Sequence, residues 1–185
     1  MGFATGNAFA GVAPDLCLGI DPGLRRTGYA LIQRTISGPT LLEGGVVSST
    51  KSLTLAERVH EIGQGITEII SEFRPESVAI EQVFSHGQNP KTALLMAHAR
   101  GAILYASASA GLTVIHYTPR QIKKLLTGSG RASKDQIQHA VKHELQLKRL
   151  LEPNDVADAC AIALCHYHSL SLAKFTDSAP QMAAS

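Results

Sequence analysis

The sequence predicts an α/β domain: a five-stranded mixed sheet, three antiparallel strands followed by parallel ones, with helices on both faces. Three observations carry this. Three strand-like runs follow one another with short connections between Leu16 and Val47, the signature of an antiparallel meander. The later strand-like runs are separated by helical periodicity, which makes them parallel additions to the same sheet. Aromatics are 5% of the 185 residues and Trp is absent, so the core is built from Ala, Ile, Leu and Val, as suits helices laid on a sheet.

The elements follow in order. Leu16-Cys17-Leu18-Gly19-Ile20-Asp21 reads as a central strand and Pro22-Gly23 as its turn. Thr27 to Arg34 and Thr40 to Val47 return as the second and third strands. Leu55, Val59, Ile62, Ile66, Ile69, Ile70 and Phe73 fall on one face of a helix that ends before Pro75. Val78 to Glu81 is the fourth strand. A loop, Ser85 to Pro90, leads to an apolar helix from about Lys91 to Ala110. Thr113 to Tyr117 is the fifth strand. Thr118-Pro119 opens a short helix, Gly128-Ser129-Gly130 breaks it, and Ser133 starts another that runs to about Leu147. A last helix follows Pro153-Asn154 and ends near Leu172. Residues 1–15 are expected to form a flexible extension, 16–172 the folded domain and 173–185 a disordered tail. No internal repeat is present.

Bulk composition narrows the class. Hydrophobic residues make up 44% and charged residues 17%, as in a soluble globular chain. Cys17, Cys160 and Cys165 all lie in apolar runs, which indicates reduced core thiols in a cytoplasmic protein rather than a disulfide frame. The first fifteen residues lack the basic start and long apolar run of a secretory signal. The apolar helix near Ala93–Ala110 carries His98 and Arg100 and reads as a buried or interface helix, not a membrane span. The net charge of +2 is unevenly spread: His116 to Leu150 holds eight Lys or Arg against two acids, the rest nine against thirteen. A basic segment beside an acidic one suits a polyanion, though ordinary solvated helices also look like this.

Four acids carry the chemistry. Asp21 and Glu81 each end an apolar strand, at the carboxyl ends where sheets of this kind form their sites. Asp155 and Asp158 open the last helix, three apart and therefore on one face. An Asp-Pro-Gly turn accounts for Asp21 alone, and the helix dipole accounts for Asp155. The same is harder to say of Glu81, or of Asp158 among alanines. Carboxylates against apolar surroundings need partners, and four that converge suggest a magnesium site and phosphate chemistry. Two divalent ions activate water on one side of a phosphodiester and steady the leaving oxygen on the other. Lys123, Lys124, Arg131 and Lys134 are placed to hold flanking phosphates, and Phe84 to stack on an unpaired base, if it is not simply a core residue. Lys142, Lys148 and Arg149 read as a solvated face. His139 and His143 have zinc-like spacing without the glutamate such a motif needs. Cys165-His166-Tyr167-His168 lacks a partner cysteine pair.

These residues resemble the RuvC family of Holliday junction resolvases. The resemblance rests on Gly19-Ile20-Asp21-Pro22-Gly23 with Thr27-Gly28-Tyr29, on Ile80-Glu81-Gln82-Val83-Phe84, and on Ala99-Arg100-Gly101. It also rests on Gly128 to Lys134 and on Asp155-Val156-Ala157-Asp158-Ala159, all in the family's order over roughly residues 16–170. It implies a ribonuclease H-like fold and a homodimeric, magnesium-dependent endonuclease for four-way DNA junctions. Manganese would substitute, and two ions would occupy each site. Asp21, Glu81, Asp155 and Asp158 match the family's catalytic acids, with Asp21 expected to bridge the ions. Lys123 and Lys134 match DNA-contacting positions, Phe84 an aromatic that engages junction bases, and the helix after Pro90 the dimer helix. Paired symmetric nicks would leave 5′-phosphate and 3′-hydroxyl ends, and the branch-migration proteins RuvA and RuvB would be partners. The extension before Leu16, the Lys148–Leu151 stretch and His98 depart from the family pattern. The alternatives are a non-catalytic junction-binding module, an ATP-binding protein of the actin or sugar-kinase type, and a general ribonuclease H.

Overall fold

The computed structural model describes residues 16–82 and 90–177. The expected extension, Phe84, the loop before Pro90 and the end of the tail lie outside these residues. The strands are β1 (Leu16–Asp21), β2 (Arg26–Thr35), β3 (Gly38–Ser48), β4 (Ser77–Glu81) and β5 (Thr113–Tyr117). The helices are α1 (Leu55–Phe73), α2 (Pro90–Ser109), α3 (Pro119–Thr127), α4 (Lys134–Glu144) and α5 (Asn154–Asp177). Their order and types match the expected succession of elements.

The sheet order is β3-β2-β1-β4-β5. β1, β2 and β3 form the antiparallel meander, with a register irregularity at Leu31/Ile32. β4 runs parallel to β1, and β5 parallel to β4. Strand order therefore reverses direction between β1 and β4, and the carboxyl ends of these two neighbours open the crevice in which such sheets bind ligands.

Strand alternation sorts the core into two halves. Leu16, Leu18 and Ile20 of β1, with Val78 and Ile80 of β4, pack against Ile62, Ile66, Ile69 and Ile70 of α1 and Ala99, Ile103 and Ala106 of α2. Cys17 and Ala79 point the other way, into a second cluster with α3, α4 and the Val156–Cys165 stretch of α5. A period of two then assigns Asp21 and Glu81 to the α5 face. Each of α1, α3 and α4 starts with a reciprocal capping box, from Thr54/Glu57, Thr118/Gln121 and Ser133/Gln136, which satisfies amide donors that a helix start leaves open.

Three element ends differ from expectation. α4 stops at Glu144 rather than near Leu147, because Leu145 caps it and Gln146 turns to φ 52°. α5 continues to Asp177, past the expected end near Leu172. β3 begins at Gly38, because the Thr35 hydroxyl donates to the Gly38 carbonyl at 2.8 Å and extends the β2–β3 ladder to the turn. All three cysteines are buried and free, as expected for core thiols, and burial pushes each thiol up to about 12. Among the described residues no helix is long and apolar enough to cross a membrane.

Candidate active site

Two glycines decide where the last helix lies. A β-carbon on Gly28 would sit 2.1 Å from the carbonyl oxygen of Asp155, and one on Gly19 would sit 2.4 Å from that of Ala159. α5 therefore rests directly on the backbone of β1 and β2, an approach that only glycine permits. Gly28 is also the register partner of Asp21. The contact that seats the first turn of α5 thus delivers Asp155 next to Asp21, and Asp158 follows one turn on.

The turn after Asp21 is fixed from within. The buried Thr27 hydroxyl donates to the Gly23 carbonyl at 2.8 Å and receives the Gly23 amide at 3.3 Å. Parallel pairing of Ile20 with Ile80 places Glu81 level with Asp21 on the neighbouring strand. Arg100 of α2 supports that strand end: its Nε donates to the Glu81 carbonyl at 3.3 Å, and its other arm lies 2.6 Å from His116 Nδ1 on β5.

Electrostatics show that the acids share one region. Burial raises the Asp21 carboxyl to about 7, and the charges of Asp158, Glu81 and Asp155 push the same way, opposed by Lys134. Burial likewise lifts Glu81 to about 6, with Asp158 adding to the rise while Lys123 and Lys134 oppose it. Neighbouring carboxylates that resist shedding their protons are those a bound cation would favour in ionised form. The donors are all carboxylate oxygens, with no thiol or imidazole among the four, and such a set fits a hard divalent ion.

The side chains are not gathered as ligands. Among the described residues no three His, Cys, Asp or Glu side chains stand close enough to hold a metal ion. Asp155 instead pairs with Arg26 at 3.0 Å, and Asp158 with Lys134 at 2.8 Å. Both contacts are partly exposed. Among the described residues Lys134 makes no hydrogen bond to Asp21, Glu81 or Asp155, although it feels the charge of Asp21 and Asp155.

The basic residues divide. Lys134, the first residue of α4, is brought to the acids by the Ser133 cap. Lys123 stands within electrostatic reach of Glu81. Lys124 and Arg131 are exposed around the α3–α4 connection and pair with no acid among the described residues. His139 is exposed and bonded to the Asp135 carbonyl. Buried His166 pairs with the Tyr117 hydroxyl at 2.9 Å, and His168 meets Glu144. None of these histidines joins a metal cluster among the described residues. Arg26 is the residue that sequence reasoning passed over, and Arg100 stood there only within the Ala99-Arg100-Gly101 motif, with no role assigned. The short link from Gly23 to Thr27 could have pointed to Arg26, since a tight reversal after Asp21 must return its next residues to the same end of the sheet.

The family model described as crossover junction endodeoxyribonuclease RuvC matches residues 17–166. The chain is 54% identical over 151 residues to the crossover junction endodeoxyribonuclease RuvC of Rhodopirellula baltica, across 81% of this chain and 85% of that protein. Its fold superposes on Thermus thermophilus RuvC in complex with a Holliday junction substrate with a TM-score of 0.80 and 36% identity, over 86% of this chain and 96% of that one. The yeast mitochondrial Holliday junction resolvase Ydc2 matches with a TM-score of 0.61, 14% identity and coverage of 90% and 87%, a likeness of fold alone.

Proposed function

We infer the activity from one premise: the chain belongs to the RuvC family of crossover junction endodeoxyribonucleases. Its fold is ribonuclease H-like, and it is a nuclease that resolves four-way DNA junctions. The finer reading is that Asp21, Glu81, Asp155 and Asp158 form its catalytic site and hold two magnesium ions, with manganese as a substitute. One observation carries it. Asp21 pairs in register with Gly28, on which the backbone of Asp155 is seated, and stands level with Glu81 on the neighbouring strand.

When bound, two divalent ions supply activation of water and stabilisation of the leaving oxygen. The chain's own groups do the rest. The backbone contact of α5 with Gly28 and Gly19 fixes the acids to the sheet. Arg100 holds the Glu81 end of β4 through its carbonyl. Lys134, whose exposed ammonium is held by one oxygen of Asp158, contacts the phosphate beside the scissile bond. Lys123, Lys124 and Arg131 contact flanking phosphates, and Phe84, which follows Glu81 in sequence, engages a junction base. The products carry 5′-phosphate and 3′-hydroxyl ends.

The same reading includes a homodimer. Leu94 is 60% and Tyr105 77% exposed on α2, and Leu95 is exposed beside them. Such an apolar surface is ordinarily covered by a partner. A two-fold dimer presents two sites to opposite strands of a junction with matching symmetry. Work beside the branch-migration proteins RuvA and RuvB, in the cytoplasm, completes the proposal.

The test is incubation with a synthetic four-way junction and with a linear duplex, each with and without magnesium. Symmetric paired nicks in the junction alone, only with the metal, are expected. Tight junction binding without nicking in magnesium or manganese would leave a binding module instead.

A further inference from the structure

We propose that the α4–α5 connection forms a second phosphate-binding surface, which grips the backbone of a junction arm outside the cleavage site. An open hollow of about 910 Å³ is lined by Lys142, Lys148, Arg149, Glu152 and the apolar residues Leu147, Leu150 and Leu151. It holds three cations against one acid. Among the described residues no carboxylate pairs with any of the three cations, whereas Glu144, the nearest acid on α4, is engaged by His168.

The loop is built to present them. At the end of α4, Gln146 takes the left-handed conformation at φ 52°, the Leu145 amide bonds the Val141 carbonyl, and the Leu147 amide returns to the Lys142 carbonyl at 2.9 Å. This is the reversal that commonly closes a helix. It turns the chain back beside Lys142. Leu147 and Leu151 then pack on the core cluster under α5. Of the three residues held between these anchors, Lys148 and Arg149 stand exposed and Leu150 is half-buried. Cations that served only the helix dipole would act within the last turn, as Lys142 does. Lys148 and Arg149 lie beyond it and need another explanation.

Position selects the partner. Lys142 is eight residues beyond Lys134 on one helix, about 12 Å along its axis. That distance spans between three and four base-pair steps at roughly 3.4 Å each. At the other end of the loop, Glu152 is three residues from Asp155, hence within about 11 Å of it. A duplex lying along α4 would meet Lys134 at the acids and the hollow farther out. The fitting ligand is therefore a run of phosphates in double-stranded DNA, not a single bound anion. The inference rests on the junction-cleaving function and adds a contact that sets grip rather than chemistry.

The experiment titrates junction binding against salt for the wild-type chain, for Lys148→Ala with Arg149→Ala, and for Lys148→Ala with Arg149→Lys. Removing one phosphate interaction lowers the slope of log binding constant against log salt by about 0.9. The double alanine variant is expected to show close to two such decrements and to bind roughly tenfold more weakly at physiological salt. Its nicking rate on saturated junction stays within about twofold of wild type, and the Arg149→Lys variant recovers about half of the decrease in slope. An unchanged slope overturns the proposal. So does a fall in saturated rate at unchanged affinity, which would mean that the loop acts on α5 and not on DNA. The wild-type titration and nicking stand as their own control, so a failure of the loop's role is distinct from a failure of junction binding or cleavage.

Discussion

The two faces of the sheet are written by alternate residues of the same strands, yet they do opposite things. Toward α1 and α2, β1 and β4 present Leu16, Leu18, Ile20, Val78 and Ile80, all fully or nearly fully buried against isoleucines. Toward α5 they present Cys17, Gly19, Asp21, Ala79 and Glu81. There the helix surface is Ala157, Ala159, Cys160 and Ala163. Large side chains keep a helix at ordinary distance and supply buried area. Small ones let a helix touch backbone, as α5 does at Gly19 and Gly28. Both faces bury apolar side chains, and the second also aims the acids.

The largest effect expected from breaking this division is on Asp21. Asp21→Asn keeps size and removes charge at the centre of the four acids. Nicking should fall on the order of 10³-fold or more, the equivalent of about 4 kcal/mol in barrier, while junction affinity measured by gel shift changes little. Retained cleavage in a folded variant would remove Asp21 from the chemistry.

A matched pair of substitutions separates the faces directly. Gly28→Ala adds one carbon where 2.1 Å is available, so α5 must lift or tilt. A displacement near 1 Å costs roughly 10²-fold in rate. Ile66→Ala instead opens a cavity in the aliphatic half, at a cost of about 2–5 kcal/mol in stability. Its nicking rate per folded molecule is expected to stay within a few-fold of wild type. Thermal melts alongside single-turnover nicking read both quantities. If Ile66→Ala proved as inactive as Gly28→Ala, the faces would not be separable in this way.

Stability against pH sharpens the contrast again. The unfolded Asp21 carboxyl titrates near 3.8, the folded one near 7. Between these values the folded chain holds a proton that the unfolded chain has released, so stability falls as pH rises through the window. Below it both states are protonated, above it both are ionised, and the slope vanishes. Glu81, raised from 4.5 to about 6, adds to the fall in its own narrower window. The decrease due to Asp21 is on the order of 4 kcal/mol. Asp21→Asn should flatten the curve and melt higher than wild type near pH 8. Magnesium should raise the wild-type midpoint at that pH, and chelation should reverse the gain. A flat wild-type curve from pH 4 to 7 would show that the α5 face carries no such charge strain.

Much of the fold and of the site is legible in the residues. The limits of β1 and β5 follow from where apolar runs meet Asp21-Pro22 and Thr118-Pro119, since proline and turn residues punctuate the chain locally. Glu81 stands out because it ends a buried strand with no turn to explain it, and Asp158 because it lies among alanines; Asp21 and Asp155, which a turn and a helix dipole would explain alone, gain their meaning beside them. The end of α4 is not legible. No glycine marks it; Gln146 adopts the left-handed turn and Leu147 packs on the core just beyond it. The partners of Asp155 and Asp158 are hidden for a related reason. Arg26 and Lys134 are distant in sequence, and which cation meets which acid depends on how closely α5 settles on Gly28. Lys148 and Arg149 read as a solvated face for want of any sign that the chain folds back beside Lys142.

The smallest effect belongs to Arg26, and it bears on what places the acids. Its ion pair with Asp155 is partly exposed on both sides, and pairs of this kind contribute between about 0 and 1 kcal/mol. Arg26→Ala should therefore shift the melting midpoint by no more than a few degrees and change nicking by at most about fivefold. Salt should erase most of that difference, because an exposed pair is screened where a backbone contact is not. A drop as deep as that of Gly28→Ala would mean that Asp155 is steered by its arginine and not by the seat of α5. The expected result leaves positioning to the glycines, with the arginine only balancing charge beside a carboxylate already held in place.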